Sequence, residues 1–192
     1  MAVRIYGNRT IKTLPGEATR PTSARVREAL FNIWQGQIAG CRWLDICAGS
    51  GAMGAEALGR RAAEVVGIEK SGAACRVIEE NWQMMAGADQ RFEVLKGDAL
   101  RMLKQLRNSD DKPQAGGFDR IYFDPPYSGE LYAPVLNQLA YFLSLQGQAA
   151  VEYSAARWQP SELPVDLEIV KEKRYGSTNL IFLRRASASA YR

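Results

Sequence analysis

The sequence predicts an α/β fold built on a mostly parallel sheet of seven strands, with helices on both faces. Beyond Gly40, short apolar runs alternate with segments of helical periodicity, which is the pattern of repeated βαβ units. Near the end, two further runs flank the turn residues 175–178, which predicts an antiparallel hairpin at one edge of the sheet. A short basic N-terminal arm or hairpin and a helix precede this Rossmann-like unit. We expect residues 1–39 to form that extension and residues 40–192 to form the sheet domain.

The individual elements are predicted from local periodicity and from turn residues. Residues 4–14 alternate loosely around Gly7-Asn8, as in a short hairpin, and residues 108–117 are polar with glycine and proline, as in a loop. The predicted strands are residues 43–47, 64–69, 91–96, 118–124, 148–153, 167–174 and 179–184. The predicted helices are residues 24–38, 52–61, 71–85, 99–107 and 129–143.

Length and composition favour a single globular domain and exclude several kinds of site. The 192 residues are 46% hydrophobic and 24% charged, and they contain no apolar run long enough to span a membrane and no signal-peptide pattern. We therefore expect a soluble cytoplasmic protein with no membrane partner. The three cysteines form no C-x-x-C pair and there is no histidine, so we expect neither a disulfide scaffold nor a metal site. Histidine-dependent nucleophilic catalysis is excluded as well, which leaves carboxylates, backbone carbonyls, lysine, tyrosine or a cofactor.

The basic residues are concentrated at the amino terminus. Residues 1–27 contain six basic residues and one acidic residue, a net charge of +5, whereas the remaining residues carry −1 of the total of +4. Lysine and arginine at this density neutralise backbone phosphates, so the segment is typical of a nucleic-acid handle, although a solvated, partly disordered tail has the same charge. The candidate RNA-binding residues are Arg4, Arg9, Arg20, Arg25 and Arg27.

A glycine-rich loop follows the first strand of the predicted parallel sheet. Residues 49–54 have the spacing G-x-G-x-x-G between a predicted strand and a predicted helix, and Glu69 ends the next predicted strand. Glycines there allow a tight turn and close approach of a ligand to backbone amides, and an acidic group at the next strand end can accept both hydroxyls of a ribose. This pattern alone indicates NAD, FAD or S-adenosylmethionine without choosing among them.

Four acidic residues at successive strand ends favour a cationic cofactor. Asp45 precedes the glycine loop by four residues, Asp98 follows the third strand, and Asp124 ends the fourth. Together with Glu69 they would line one rim of the sheet with negative charge. This field is complementary to a sulfonium or ammonium group, and it repels the pyrophosphate of a dinucleotide.

The segment Asp124-Pro125-Pro126-Tyr127 follows an apolar run and is therefore expected at the carboxyl end of a strand, where open α/β sheets carry out their chemistry. Two prolines donate no backbone N–H and hold the chain extended, so carbonyl oxygens stay free as acceptors beside the carboxylate and the tyrosine ring. Acceptors against an aromatic face suit a planar base with an exocyclic amine. In isolation, the same segment is more often a strand followed by a Pro-Pro turn.

Together these motifs resemble the class I S-adenosylmethionine-dependent methyltransferases, and within them the bacterial 16S ribosomal RNA guanine-N2 methyltransferases of the RsmD type. The resemblance covers nearly the whole chain. Its most specific part is the block R-P-T followed by R-V-R-E-A-L-F-N, within residues 20–32, since the other motifs occur across many amino-methylating enzymes. Those other motifs are residues 45–51 followed by Gly54, Glu56 and Ala57-Leu58, then Glu69, Asp98-Ala99 and residues 124–127.

The resemblance implies a role for each of these residues. Asp45 and the glycine loop would hold the methionyl end of S-adenosylmethionine. Glu69 would hold the ribose, and Asp98 with Ala99 the adenine. Ribosomal RNA, as a 30S subunit or an assembly intermediate, would be the substrate. The N2 amine of the target guanine would donate hydrogen bonds to Asp124 and to the Pro125 carbonyl. The Tyr127 ring would stack on that guanine after it flips out of the RNA. The expected cofactor-binding residues are Asp45, Ala48, Gly49, Ser50, Gly51, Glu69, Lys70, Asp98 and Ala99, and the expected catalytic residues are Asp124, Pro125, Pro126 and Tyr127.

Other interpretations of the same residues stay open. Asp45, Glu69 and Asp98 could each bond to nearby backbone amides at a strand end or helix start. The chain could methylate DNA adenine or a protein glutamine, because D-P-P-Y suits any planar sp2 nitrogen, although it has no room for a DNA target-recognition domain. A dinucleotide-dependent oxidoreductase is supported by the glycine loop, and an RNA-binding module without catalytic activity by the basic arm.

Overall fold

The computed structural model describes residues 2–14, 24–108, 117–126 and 130–187. The strands are β1 Ala2–Arg4, β2 Thr10–Lys12, β3 Arg42–Ile46, β4 Glu64–Glu69, β5 Arg91–Lys96, β6 Phe118–Phe123, β7 Leu143–Tyr153, β8 Leu167–Tyr175 and β9 Thr178–Arg185. The helices are α1 Ala24–Ile33, α2 Ala52–Gly59, α3 Gly72–Met85, α4 Ala99–Asn108 and α5 Tyr132–Phe142. Arg20, Tyr127 and most of the loop predicted at residues 108–117 lie outside the described residues.

Seven strands form one sheet in the order β5-β4-β3-β6-β7-β9-β8. Strands β3 to β7 run parallel, and β9 pairs antiparallel with both β7 and β8. The strand order reverses at β3, because the chain first moves outward to β4 and β5 and then returns to β6 on the other side of β3. Such a switch point leaves a crevice at the carboxyl ends of the strands, where open α/β sheets bind ligands. The predicted fold is confirmed.

Alternation of side chains along the strands creates one hydrophobic core on each face of the sheet. Trp43 and Tyr122 belong to the core shared with α1, α2 and α3. Leu44 and Ile121, their neighbours along the chain, belong to the core shared with α4 and α5. Helices therefore cover both faces, as predicted, and Asp45 lies on the same face as Trp43.

Two element boundaries differ from the prediction by five residues, each for a local reason. Helix α1 ends at Ile33 instead of residue 38, because Gly36 adopts a left-handed conformation with a φ of 76° that prevents the helix from continuing. Strand β7 begins at Leu143 instead of residue 148, directly after α5, and Leu143 pairs with Phe118. The register shifts after this pair, and the irregular start of β7 mixes polar residues with the exposed Leu145, so it shows no continuous apolar pattern.

The amino-terminal arm, residues 2–14, folds back on the sheet domain. Strands β1 and β2 pair antiparallel around a turn in which Gly7 and Asn8 have φ values of 69° and 61°, so the predicted hairpin is confirmed. Ile5 and Ile11 are buried in the core that contains α1, α2 and α3. The domain boundary between residues 39 and 40 stays a prediction. No helix in the described part of the chain is long and apolar enough to cross a membrane.

Candidate active site

The four acidic residues predicted at strand ends lie on adjacent strands of the sheet. Asp98 follows β5, Glu69 ends β4, Asp45 lies one residue before the end of β3, and Asp124 follows β6. Since the sheet order is β5-β4-β3-β6, their backbone positions form a continuous row along the carboxyl edge. The row crosses the switch point between β4 and β6, which is the expected place for a ligand.

The glycine-rich loop connects β3 to α2 in a tight turn. Gly49 and Gly51 have φ values of 58° and 72°, a left-handed conformation that favours glycine. The Gly51 N–H donates to the Ala48 carbonyl at 2.7 Å and closes the turn. The Gly49 N–H donates to Glu69 Oε2 at 3.0 Å, and the Ser71 N–H donates to Glu69 Oε1 at 2.8 Å. Glu69 therefore joins the loop to the start of α3.

Asp45 is a buried carboxylate next to this loop. Its side chain is almost fully enclosed, and its Oδ2 accepts the Gly54 N–H at 3.1 Å. Burial raises the pKa of Asp45 to about 7; the bond from Gly54 opposes this shift, and the negative charge of Glu69 adds to it. A cation bound beside Asp45 would stabilise its ionised form, so this position fits a positively charged ligand group.

Asp98 caps helix α4. Its Oδ1 accepts the N–H groups of Leu100 at 3.0 Å and Arg101 at 3.3 Å, so the helix-cap interpretation of this residue is observed. Both bonds use the same oxygen, and the side chain is exposed. Within the described part of the chain, the second oxygen stays available to a ligand, so capping and ligand binding are compatible.

Asp124 directly follows β6, at the point where the chain stops pairing with β3. Its N–H lies 3.5 Å from the Ile46 carbonyl, which keeps it beside the end of β3. The pKa of Asp124 is raised well above its usual value, first by burial and then by the negative charges of Glu152 and Asp45. Asp124 therefore lies close enough to Glu152 and Asp45 for their charges to disfavour its ionised form.

The remaining predicted site residues surround this row. Pro125 and Pro126 follow Asp124; Pro125 is buried and Pro126 is exposed. Lys70 directly follows β4 and is exposed. Ser50 is buried within the glycine loop. The roles proposed for these residues, and for Tyr127 beyond the described segment, stay predictions. The described residues contain no group of three or more His, Cys, Asp or Glu side chains that could hold a metal ion.

Glu152 is a further carboxylate at this edge that no sequence motif predicted. It lies on β7, next to β6, and its Oε2 accepts the Tyr122 hydroxyl at 2.7 Å. The Tyr132 hydroxyl donates to the backbone carbonyl of Glu152 at 3.1 Å. Burial raises the pKa of Glu152, and the bond from Tyr122 opposes that shift. A charged residue inside the otherwise apolar run 149–153 is the signal that could have identified it.

Asn81 and Trp82 on α3 support the glycine loop from inside the protein. Both are fully buried. Trp82 Nε1 donates to the Gly51 carbonyl at 2.8 Å, and Asn81 Nδ2 donates to the Ser50 carbonyl at 3.1 Å. The Trp82 ring also packs so close to Gly54 that a Cβ atom there would lie 2.2 Å from it. The third glycine of the motif is therefore required by packing, and no sequence signal distinguished Asn81 from other polar helix residues.

The arginines of the arm and of α1 fall into two groups. Arg4, Arg9 and Arg25 are exposed, whereas Arg27 is buried. Arg27 Nη2 donates to the Arg4 carbonyl at 2.7 Å, and its Nε lies 3.4 Å from Glu56 Oε2. This placement does not favour the phosphate-binding role predicted for Arg27, because its guanidinium faces the protein interior and connects the arm to α2.

Comparison with known proteins identifies the family. Residues 3–184 match the family described as conserved hypothetical protein 95. The ribosomal RNA small subunit methyltransferase D of Haemophilus influenzae is 30% identical over 172 residues, which span 90% of this chain and 86% of that protein. The chain belongs to the RsmD family.

A further relative and two solved structures that resemble this chain are also described as methyltransferases or methylases. A proposed rRNA methyltransferase of Bacillus subtilis, YlbH, is 27% identical over 180 residues, covering 92% of this chain and 94% of that protein. A proposed methyltransferase of Escherichia coli has a TM-score of 0.76 at 28% identity, over 97% of this chain and 99% of that chain. A proposed methylase of Haemophilus influenzae has a TM-score of 0.75 at 26% identity, over 97% of this chain and 100% of that chain. The class I methyltransferase fold is confirmed.

Proposed function

We propose that this chain transfers a methyl group from S-adenosylmethionine to the N2 amine of a guanine in small-subunit ribosomal RNA. Membership of the RsmD family makes it an S-adenosylmethionine-dependent ribosomal RNA methyltransferase. What we propose beyond family membership is that the target base is a guanine, that N2 is the methylated atom, and that the RNA is part of a 30S subunit or an assembly intermediate. The observation that supports it best is the position of Asp124, an acceptor beside the switch point and next to the row of residues suited to the cofactor.

The row of acidic residues fits a cofactor with a cationic methionyl end. Asp45 is buried, and an ammonium group beside it would stabilise its ionised form. Each oxygen of Glu69 accepts one backbone N–H and retains a second lone pair, so the carboxylate can also accept the two ribose hydroxyls. Asp98 and Ala99 would contact the adenine, and residues 48–51 the methionyl group. When bound, the cofactor supplies an electrophilic methyl group on a sulfonium.

The groups after β6 would position the target amine. Asp124 and the Pro125 carbonyl would accept hydrogen bonds from the two N2–H groups, and Tyr127 would stack on the flipped base. Because the methyl donor is intrinsically reactive, the protein has to orient the nitrogen lone pair more than it has to supply a strong base. The raised pKa of Asp124 also makes its carboxylate a better acceptor for the proton that the amine loses. These demands suit a chain without histidine.

The exposed arginines near the amino terminus would contact RNA phosphates. Arg4 and Arg9 lie on the arm, which packs against α2 and α3, and Arg25 lies at the start of α1. Arg20 is included on sequence grounds. Phosphate contacts of this kind fix the position of a structured RNA without selecting its sequence. A 30S subunit or an assembly intermediate would present such an RNA.

Transfer of tritiated methyl groups tests this function. The acceptors are 30S subunits and naked 16S RNA prepared from a strain that lacks the protein, with duplex DNA as a control acceptor. We expect label in N2-methylguanosine from at least one RNA acceptor and none in the DNA. Label in another nucleoside, or in DNA alone, would contradict the proposed atom or substrate.

A further inference from the structure

Glu152 on β7 and Asp124, directly after the neighbouring strand β6, occupy adjacent positions and share one face of the sheet. Phe123 pairs with Val151 in the parallel register of β6 and β7, so the next residues along each strand, Asp124 and Glu152, lie side by side. Side chains alternate along a strand, so both belong to the face that carries Tyr122. The charge of Glu152 contributes to the raised pKa of Asp124, which agrees with their proximity.

The Glu152 carboxylate is held in place and still has acceptor capacity. Tyr122 fixes Oε2 by donating its hydroxyl at 2.7 Å, and Tyr132 fixes the backbone by donating to the carbonyl at 3.1 Å. Among the described residues, Oε1 accepts no hydrogen bond, and the side chain is only partly exposed. Removing a carboxylate from water without supplying donors is unfavourable, so this position is suited to a ligand that brings N–H groups.

Two adjacent carboxylates match one nucleobase better than the others. The Watson–Crick edge of guanine presents N1–H and the N2 amine next to each other, and enzymes that flip a base out of the stack recognise that edge by hydrogen bonds. Adenine and cytosine place a ring nitrogen with a lone pair beside their exocyclic amine. A lone pair facing a second carboxylate would be repelled, whereas the guanine N1–H would be bound.

We propose that Glu152 is a specificity-determining residue that accepts a hydrogen bond from the N1–H of the target guanine, while Asp124 accepts from its N2 amine. This inference rests on the proposed guanine-N2 function and deepens it by assigning the choice of base to a residue on β7. A site that hydrogen-bonds a substrate N–H discriminates strongly against an analogue that lacks it, because the buried acceptor is then left without a partner.

The test compares two target bases in an otherwise identical RNA, ligated from fragments, at the position that the wild-type protein methylates. One RNA carries guanine and the other 2-aminopurine, which keeps the 2-amine but has a lone pair on N1. The wild type should prefer guanine by on the order of 100-fold or more in kcat/KM. In Glu152→Gln, the amide can accept from Tyr122 and donate to the N1 lone pair, so this preference should fall by at least about 10-fold.

Two further variants separate base recognition from a structural role. Tyr122→Phe removes the hydroxyl that donates to Glu152 but keeps the Glu152 carboxylate. The preference for guanine over 2-aminopurine should therefore persist even if the methylation rate falls. Glu152→Ala removes the acceptor without adding a donor. If Glu152→Gln fails to fold, Glu152→Ala serves in its place. The kcat/KM values of Glu152→Ala for guanine and 2-aminopurine should be closer to each other than those of the wild type. Binding of S-adenosylmethionine confirms folding of each variant.

The outcomes distinguish this inference from the function on which it rests. A folded Glu152 variant that retains the wild-type preference for guanine over 2-aminopurine would overturn the role of Glu152 while leaving guanine-N2 methylation intact. Failure of the wild type to produce N2-methylguanosine would instead refute the proposed function before any variant is compared.

Discussion

Lys12 on β2 and Asn81 on α3 are joined by two hydrogen bonds. The Lys12 N–H donates to Asn81 Oδ1 at 2.9 Å, and Asn81 Nδ2 donates to the Lys12 carbonyl at 2.9 Å. The same Nδ2 donates to the Ser50 carbonyl in the glycine loop at 3.1 Å. One buried side chain therefore connects the arm proposed to bind RNA with the loop proposed to bind the cofactor.

Replacing Asn81 with alanine should disturb both the arm and the loop. The change leaves backbone groups of Lys12 and Ser50 without partners, at a cost of about 1–3 kcal/mol for each buried group that finds no water. We expect a lower melting temperature, faster proteolysis of the arm, and weaker S-adenosylmethionine binding by about 10-fold. Calorimetry and limited proteolysis measure these effects.

The neighbouring residue Glu80 provides a matched control. Its carboxylate pairs with Lys12 Nζ at 2.7 Å, but both side chains are more than half exposed. Exposed pairs contribute about 0–1 kcal/mol, so Glu80→Ala should change cofactor binding little. Equal effects of the two substitutions would show that the Asn81 bonds do not support the loop.

The two groups of arginines should differ in how they affect RNA binding. Replacing Arg4 and Arg9 with alanine should weaken RNA binding and reduce the slope of log K against log salt by about 0.7 to 0.9 for each lost phosphate contact. Arg27→Ala should instead destabilise the fold by about 3 kcal/mol, since it leaves the buried Glu56 without one of its partners. RNA titrations across a salt series and thermal melting measure both. A parallel salt slope for the double variant would mean that these arginines are ordinary surface charges.

The pH dependence of cofactor binding should reflect Asp45. Its pKa in the folded protein is about 7, above its ordinary value of 3.8, so in the free protein the protonated form favours folding. This contribution to stability is fully present below about pH 4 and is lost as the pH rises towards 7. A cationic methionyl group needs the ionised form, so S-adenosylmethionine affinity should increase between pH 6 and about pH 8 and binding should release a proton.

Asp45→Asn provides the control for this pH dependence, because the amide oxygen still accepts the Gly54 N–H but cannot ionise. The variant should bind S-adenosylmethionine weakly with little dependence on pH. Calorimetry in two buffers of different ionisation enthalpy detects the released proton. A wild-type affinity that stays constant from pH 6 to about pH 8 would argue against contact between Asp45 and the ammonium group.

Two substitutions of Glu69 should separate ribose binding from loop support. Glutamine keeps one oxygen acceptor, either for the ribose or for the Gly49 N–H, whereas alanine keeps none. We expect Glu69→Ala to weaken S-adenosylmethionine binding more than Glu69→Gln does, by isothermal titration. Equal affinities of the two variants would indicate that Glu69 acts only at the start of α3.

The parts of the site that follow from the sequence are those encoded by local pattern. The strand that precedes Asp124, the loop at Gly49 and the position of Glu69 all follow from apolar runs and glycine spacing along a short stretch of chain. Their alignment along one edge then follows from the parallel topology.

The parts that could not be predicted depend on contacts between distant residues. Arg27 looks like any exposed arginine until Glu56 and the Arg4 carbonyl are brought around it. Asn81 has no periodicity or motif that distinguishes it, because its partners lie 69 and 31 residues away. Glu152 needed the pairing of β7 with β6 before its position beside Asp124 could be seen.

Methyl transfer by Asp124→Ala, measured beside its affinity for S-adenosylmethionine, tests the central proposal most directly. Asp124 is assigned to the target amine, whereas the cofactor is assigned to Asp45, Glu69 and Asp98. We expect transfer to RNA to fall by about 100-fold or more while cofactor affinity changes by less than about 3-fold. Near wild-type transfer, or loss of cofactor binding in proportion to the loss of transfer, would contradict the assignment of this edge of the sheet as the amine-methylating site.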